Sequence, residues 1–187
     1  MTQSSKIGYK TLSSKTVFAH SRLTAVEDII EMPDGQQGNY LWFSNRRDAV
    51  TVIARDSTGR ILVEQEYSYL PNVQLYQFAG GGVEEGEQPE TAAQRELAEE
   101  LDYQAGKLTL IGSYLMDHRR SHSKMYVFLG QDLAPLSGIA KSKYEKDKYE
   151  IDLQHFWLTE AKVDGLIAEH KVVNATMLAA WVLYKHH

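Results

Sequence analysis

The chain of 187 residues contains no cysteine, which excludes disulfide bonds, zinc–thiolate sites and thiol chemistry. It has no apolar run near the roughly 18 residues that a membrane-spanning helix needs. Its first residues, Met1 to Lys6, lack the apolar segment of a signal peptide. We therefore expect a cytoplasmic protein, consistent with a reducing compartment, that has no membrane partner.

Positive charge is also scarce, because 20 lysines and arginines stand against 25 aspartates and glutamates and give a net charge of −5. Proteins that bind nucleic acid present clustered lysine and arginine to the phosphate backbone. The lysines between residues 141 and 148 alternate with Glu145, Asp147 and Glu150, which is typical of a solvated loop. We expect no nucleic-acid partner.

Apolar and polar residues follow a β pattern at both sides of residue 45. Three extended segments precede it, at residues 16–20, 23–31 and 39–43, with an Asp34-Gly35 hairpin signal between the last two. Denser apolar strands follow at 49–55 and 61–65. The pattern predicts an N-terminal antiparallel β unit at residues 1–44 and a second domain at residues 45–187.

The rest of the chain alternates between strands and capped helices. Further strands are predicted at residues 74–78, 108–116, 124–129 and 151–158. One helix is expected to begin at Pro89 and end near Leu101, and two later ones are expected after Thr159 and Asn174. In the first helix Ala93, Leu97 and Leu101 form a stripe that faces the core.

A glycine-rich turn followed by an acidic helix is the segment with the clearest chemistry. Glu96, Glu99 and Glu100 lie close together on the helix that follows residues 80–82, which are all glycine. Crowded carboxylates repel, so shared coordination of Mg²⁺, or alternatively Mn²⁺, is their most economical use. Arg95 is placed to pair with Glu87 or Glu99 and to support the site. The alternative is an exposed amphipathic helix, since glutamate favours helices.

The order of residues in this segment resembles the Nudix box. The matching positions are Gly81, Glu87, Arg95, Glu96, Leu97, Glu99 and Glu100. Asp102 and Tyr103 stand where the box has a glycine and an aliphatic residue. The resemblance implies an α+β fold, namely a Nudix-type α/β/α sandwich with a mixed sheet preceded by a small N-terminal antiparallel β unit. It also implies a metal site made by Gly80, Glu96, Glu99 and Glu100.

Within that superfamily the chain is most similar to the ADP-ribose and nucleoside-diphosphate-sugar pyrophosphatases. The similarity includes the N-terminal β unit, Leu62-Val63-Glu64-Gln65, and Glu150-Ile151-Asp152-Leu153 followed by two helices. It implies a homodimer in which the β unit is the dimerisation element. Tyr67 replaces a usual arginine, Ala79 a frequent proline, and Asp117-His118-Arg119 a serine-proline-glycine segment.

The resemblance suggests the catalytic base, and the residues themselves suggest how substrate is bound. The catalytic base or extra metal ligand is expected from an acidic loop, with Glu150 first, Asp147 second, and Glu99 as a further candidate. The candidate substrate-binding residues are Arg46, Tyr67, His118, Arg119 and Arg120. The two arginines of the 118–122 cluster would clamp a phosphate; the alternative is a surface loop with incidental charge. Trp42, Phe43 and Tyr67 either stack on a base or pack in a sheet.

The predicted activity is metal-dependent hydrolysis of the pyrophosphate bond of a nucleoside-diphosphate sugar, ADP-ribose or a related compound. The products would be a nucleoside monophosphate and a sugar phosphate. Two alternatives stay open. One is a Nudix hydrolase of GDP-mannose, a dinucleoside polyphosphate or a nucleoside triphosphate, and the other is a non-catalytic module that senses a nucleotide sugar. The presence of all three helix carboxylates favours an enzyme.

Overall fold

The computed structural model describes residues 8–44, 47–137 and 153–187. These residues form two compact units. One comprises residues 8–44 together with Leu115–Ser123, and the other comprises residues 47–114, 124–137 and 153–187. The first unit therefore includes a segment from the middle of the chain. The division into domains at residues 1–44 and 45–187 stays a prediction.

The first unit is built on a three-stranded antiparallel sheet. Its strands are β1 (Lys10–His20), β2 (Leu23–Glu31) and β3 (Gln37–Phe43), in that order. The predicted hairpin is confirmed between β2 and β3, where Gly35 has a φ of +84° and Asp34 Oδ1 accepts a hydrogen bond from the Gln36 amide. β1 begins at Lys10 rather than at residue 16. Its first residues lack apolar alternation, and they join the sheet because β2 offers a free edge along its whole length.

The second unit contains a six-stranded mixed sheet. Its strands are β4 (Ala49–Arg55), β5 (Ile61–Ser68), β6 (Val73–Gln77), β7 (Tyr103–Leu115), β8 (Lys124–Pro135) and β9 (Gln154–Leu158). Five of them lie in the order β6-β5-β4-β8-β7, and β9 pairs with β5. The central pair, β4 and β8, is parallel, whereas β5 pairs antiparallel with its three partners.

Three helices occur in the described part of the chain: α1 (Pro89–Leu101), α2 (Glu160–Ala168) and α3 (Ala175–Lys185). Each begins where the sequence predicts. Pro89 is the first residue of α1, Thr159 Oγ1 accepts from the Lys162 amide, and Asn174 Oδ1 accepts from the Met177 amide. These caps explain why the helix starts could be predicted from local residue types.

Helices cover both faces of the β4 strand, as the α/β/α prediction requires. Val52 and Ala54 on one face belong to the same buried cluster as Ala93, Leu97 and Leu101 of α1. The intervening residues point the other way, as alternation in a strand dictates. There Arg55 donates to Tyr184 Oη of α3. The fold class is thus confirmed.

Strand β7 begins at Tyr103, whereas the sequence pattern predicts its start near residue 108. Helix α1 ends at Leu101, because Asp102 adopts a left-handed conformation with φ 59° and ψ 32°. Its amide donates back to the Ala98 carbonyl. Aspartate tolerates this region better than most residues. It therefore replaces the expected glycine and turns the chain directly into β7. β8 likewise extends to Pro135 rather than 129.

The hairpin between β4 and β5 depends on one carboxylate. Asp56 Oδ1 accepts from the Thr58 amide and hydroxyl and from the Arg60 amide, and Oδ2 accepts from Arg60 Nε at 2.8 Å. Partial burial tends to raise the Asp56 pKa, but the hydrogen bonds from Thr58 and Arg60 outweigh it and hold the pKa at about 2. The ionised carboxylate therefore stabilises the folded state above its ordinary pKa of about 4.

Replacing Asp56 with alanine is expected to lower the free energy of unfolding by about 1–2 kcal/mol at pH 7. The difference from the wild type should shrink as the pH falls from about 4 towards 2, since the folded pKa lies below the unfolded one. Urea unfolding at several pH values measures this. Ser57→Ala, at an exposed position of the same turn, is the control. A difference that stays constant with pH would contradict the account.

Candidate active site

The glycine loop runs along the first half of β4. The Val50 amide donates to the Gly81 carbonyl at 2.9 Å, and the Val52 amide donates to the Ala79 carbonyl at 2.8 Å. These bonds bring the two backbones so close that a Cβ on Gly80 would lie 2.8 Å from Thr51 Cα. Glycine is therefore required at position 80 by close backbone approach.

The next glycine leaves room for a carboxylate. A Cβ on Gly81 would lie 2.7 Å from the carboxyl carbon of Glu96. Glu96 itself is buried, with 7% of its surface exposed. A Cβ at Gly82, in contrast, would meet no atom within 4 Å. Because Gly81 has no side chain, the Glu96 carboxylate can pack directly against the loop.

Arg95 gathers the acidic side chains of this segment. Its Nη1 donates to Glu96 Oε1 at 2.7 Å and to Glu99 Oε2 at 3.0 Å. Its Nε and Nη2 donate to both carboxylate oxygens of Glu87, and Nη2 also donates to the Gly82 carbonyl. The predicted pairing with Glu87 or Glu99 is confirmed, and it extends to Glu96. One guanidinium therefore serves three carboxylates.

Glu100 is held by the glycine loop. Its Oε2 accepts a hydrogen bond from the Gly80 amide at 2.7 Å, and the residue is buried. Glu96 and Glu100 lie one helical turn apart, so both carboxylates reach the glycine loop from the same face of α1. The loop and the helix consequently hold each other in place.

The surroundings shift the pKa values of these groups in opposite directions. Burial raises the pKa of Glu96, and the attraction of Arg95 offsets only part of that increase. Hydrogen bonds from Arg95 lower the pKa of Glu87, despite the opposing effect of burial. The hydrogen bonds with Glu87 in turn raise the pKa of Arg95. Arg95 therefore stays charged, and the ionised form of Glu96 is costly without another cation nearby.

The donor chemistry of the loop and helix suits a hard divalent cation, since it consists of carboxylate and carbonyl oxygens. In residues 8–44, 47–137 and 153–187, however, no three histidine, aspartate or glutamate side chains converge closely enough to hold a metal ion. Glu96 Oε1 and Glu99 Oε2 both accept hydrogen bonds from Arg95 Nη1. A metal would have to compete with Arg95 for those oxygens.

Asp48 supports the base of the loop and was missed by the sequence analysis. Its carbonyl accepts from the Val83 amide, and its Oδ1 accepts from the Lys124 amide at 2.8 Å. It thereby connects the loop to the start of β8. An acidic residue directly before a strand is only a weak signal of such a role, because the partner strand is 76 positions away along the chain.

The predicted basic cluster lies in the first unit, against its sheet. The Arg119 carbonyl accepts from Tyr40 Oη at 2.7 Å, and the Arg120 carbonyl accepts from the Phe43 amide. Together with Trp42, the cluster lines a cavity of about 530 Å³. The lining includes His118, Arg119, Arg120 and His122. Trp42 makes an edge-on ring contact with His122, with centroids 5.4 Å apart.

The other predicted substrate-binding and catalytic residues are only partly placed. Tyr67 lies on β5, half-buried, and its hydroxyl donates to Asn72 Oδ1 at 2.8 Å. Arg46, Asp147 and Glu150 lie outside the described residues. No helix in the described ranges is long and apolar enough to cross a membrane.

A family model of the NUDIX domain matches residues 45–181, about three quarters of the chain. The chain belongs to the NUDIX domain family. The box of glycine loop and acidic helix lies within the matched residues. Membership makes the chain a Nudix pyrophosphohydrolase, so the predicted family and enzyme class are confirmed.

Two curated relatives agree with this assignment, and one solved structure shares the fold. The chain is 26% identical to the ADP-ribose pyrophosphatase of Bacillus subtilis (strain 168), over 75% of this chain and 74% of that protein. It is 32% identical to the ADP compounds hydrolase NudE of Escherichia coli (strain K12), over 67% and 68%. A crystal structure of an ADP compounds hydrolase superposes with a TM-score of 0.84 at 24% identity, covering 95% of this chain and 92% of that one.

Alanine at the three consecutive glycines should separate folding from activity in this Nudix hydrolase. Gly80→Ala forces the backbone away from β4 and is expected to cost about 2–3 kcal/mol of stability. Gly81→Ala meets only the flexible end of Glu96, so it should lower activity at least about tenfold with a stability change under about 1 kcal/mol. Gly82→Ala is the matched control, expected to change neither.

Thermal unfolding and initial rates of nucleotide hydrolysis measure the two effects. Equal activity in the Gly81→Ala and Gly82→Ala variants would show that the close packing of Gly81 against Glu96 does not matter for catalysis.

Proposed function

We propose that this Nudix hydrolase uses Mg²⁺ or Mn²⁺ to cleave the pyrophosphate bond of a nucleoside-diphosphate sugar, ADP-ribose or a related ADP compound. The products are a nucleoside monophosphate and a sugar phosphate. The observation that carries the proposal is the set of carboxylates that Arg95 and the Gly80 amide hold beside the glycine loop. The names of the two curated relatives, which specify ADP-ribose and ADP compounds, support the substrate class.

The metal ligands in this proposal are Glu96, Glu99, Glu100 and the Gly80 carbonyl. A bound metal supplies charge neutralisation for the diphosphate and lowers the pKa of an attacking water. Because Glu96 is buried, its negative charge is unfavourable in isolation, and a bound cation would stabilise it. Arg95 holds Glu96 and Glu99 near the Gly82 carbonyl, because one guanidinium donates to all three.

A carboxylate is still needed to orient the attacking water or to accept its proton. Glu150 is our first candidate and Asp147 the second, both by resemblance to the family and both outside the described residues. Glu99 is a third candidate, and its Oε2 accepts a hydrogen bond from Arg95 Nη1. Each assignment stays a proposal.

Substrate binding is proposed for the basic cluster and two further residues. The side chains of Arg119 and Arg120 line a cavity that also contains Trp42, which combines charges for phosphate with an aromatic face. His118 belongs to the same lining. Arg46 and Tyr67 complete the proposed substrate-binding set, although Tyr67 stands where the family usually has an arginine.

A cytoplasmic homodimer remains part of the proposal. The sheet of the first unit buries only Ala25 and Val26 below a tenth of their surface, while Leu12, Val17 and Phe18 of β1 are at least 40% exposed. A three-stranded sheet with so little buried apolar surface gains stability from a partner. This supports the β unit as the dimerisation element.

The test is a panel of ADP-ribose, GDP-mannose, UDP-glucose, diadenosine polyphosphates and nucleoside triphosphates, each incubated with Mg²⁺ or Mn²⁺. Chromatography of the products should show AMP and ribose 5-phosphate from ADP-ribose, or the equivalent pair from a related nucleotide sugar. Glu100→Gln should reduce turnover at least about 100-fold, because several kcal/mol of charge stabilisation is lost. The glutamine can still accept from the Gly80 amide, so the fold should persist.

Glu90→Gln, an exposed position on the same helix, is the matched control and should keep normal turnover. Cleavage of nucleoside triphosphates or dinucleoside polyphosphates alone would move the assignment to another Nudix substrate. No product from any compound would favour the sensing module, and near-normal turnover by the Glu100→Gln variant would remove the helix from the active site.

A further inference from the structure

A second, smaller cavity of about 230 Å³ adjoins the glycine loop within the second unit. It lies between Thr51 of β4, the loop residues Gly80 and Gly81, and the start of α3, at the N-cap Asn174 and at Thr176. Gly80 and Gly81 also contact the carboxylates of Glu100 and Glu96. One short stretch of backbone thus separates the cavity from the proposed metal ligands.

Thr51 is the unusual residue in its wall. The residue is 2% exposed, and within the described part of the chain its hydroxyl oxygen has no hydrogen-bond partner. Buried hydroxyls are normally paired, because leaving one unpaired is costly. The next residue on its face of β4 is the fully buried Ile53, so valine would be more stable than threonine at position 51 if nothing bound the hydroxyl. The hydroxyl is therefore best explained by a ligand that it binds.

The amide side chains around Thr51 are already engaged and give the cavity a fixed wall. Asn174 accepts from the Met177 amide and donates to the Tyr76 carbonyl, so it joins β6 to α3. Gln77 Nε2 donates to Glu66 Oε2 at 2.7 Å. These bonds position the wall before any ligand arrives, and they leave Thr51 as a hydroxyl that can both donate and accept.

The size and chemistry of the cavity select the ligand. It is smaller than the roughly 300–1,000 Å³ of pockets that hold drug-sized molecules, so it suits a single ring. A nucleobase binds by stacking on an accessible aromatic ring. The aromatic residue of this lining, Phe78, is only 4% exposed and packs against Trp181. A sugar ring needs hydroxyl partners instead, which Thr51 supplies.

We propose that this cavity binds the terminal sugar of the substrate, with Thr51 hydrogen-bonded to a sugar hydroxyl. The inference rests on the proposed function and assigns the sugar end of the nucleoside-diphosphate sugar to this cavity. The nucleoside's own ribose fits less well, since it carries a base on one side and the diphosphate on the other. Thr51 is thus a specificity-determining residue for the group beyond the diphosphate.

The test compares Thr51→Val with the wild type on two substrates, ADP-ribose and the methyl ester of ADP, which has the same nucleotide and diphosphate but no terminal sugar. The ratio of kcat/KM for ADP-ribose to that for the methyl ester should fall about two- to tenfold in the variant, the range of one lost hydrogen bond. The melting temperature should stay equal or rise, because valine has nearly the same shape and no hydroxyl to bury.

Thr109→Val is the matched control, since Thr109 lies half-buried on β7 of the same sheet and is not part of the cavity lining. An unchanged ratio in Thr51→Val, with the wild type active on ADP-ribose, overturns the sugar site and leaves the proposed function intact. An equal loss on both substrates with a lower melting temperature overturns it too, because that assigns the hydroxyl a structural role. If the wild type cleaves no nucleoside-diphosphate sugar, both proposals fall.

Discussion

The bonds between Arg95 and the three carboxylates of Glu87, Glu96 and Glu99 are the interaction on which this site depends. Two like charges 4 Å apart at an intermediate effective dielectric repel by about 4 kcal/mol, so such a cluster could not stay together without a positive charge. Arg95 supplies it, and its planar guanidinium reaches all three at 2.7–3.1 Å. Lysine, with a single ammonium group, could not make the same set of bonds.

The glycine loop and α1 therefore stabilise each other. The loop is attached to β4 by backbone hydrogen bonds, its Gly80 amide holds Glu100, and its Gly82 carbonyl holds Arg95. The buried stripe of Ala93, Leu97 and Leu101, on the arc of the helix next to Glu96 and Glu100, attaches α1 to the sheet. Burial raises the pKa of Glu96 and the attraction of Arg95 offsets only part of that increase, so the ionised carboxylate is destabilised at this position. Stability given up here is consistent with a functional site.

The sequence predicts those parts of the structure that local chemistry decides. Pro89, Thr159 and Asn174 mark helix starts because a cap depends on neighbouring residues, and the spacing of the glutamates places them on one helix face. Distant contacts are not predictable in this way. Asp48 bonds to the Lys124 amide, residues 115–123 join the N-terminal unit, and Thr51 comes to line one cavity with the start of α3 only after folding. Asp102 is an intermediate case. The Nudix box has a glycine at this position, and the left-handed φ of Asp102 shows that aspartate can replace it there.

The central claim is that the carboxylates held by Arg95 bind a divalent metal. The most direct measurement is Mn²⁺ binding followed by electron paramagnetic resonance at pH 7, with the wild type and the Glu96→Gln variant and no substrate present. The account predicts bound Mn²⁺ in the wild type and an affinity at least about tenfold weaker in the variant, as loss of one ligand implies. Equal Mn²⁺ binding by both proteins, or none by the wild type, would contradict it.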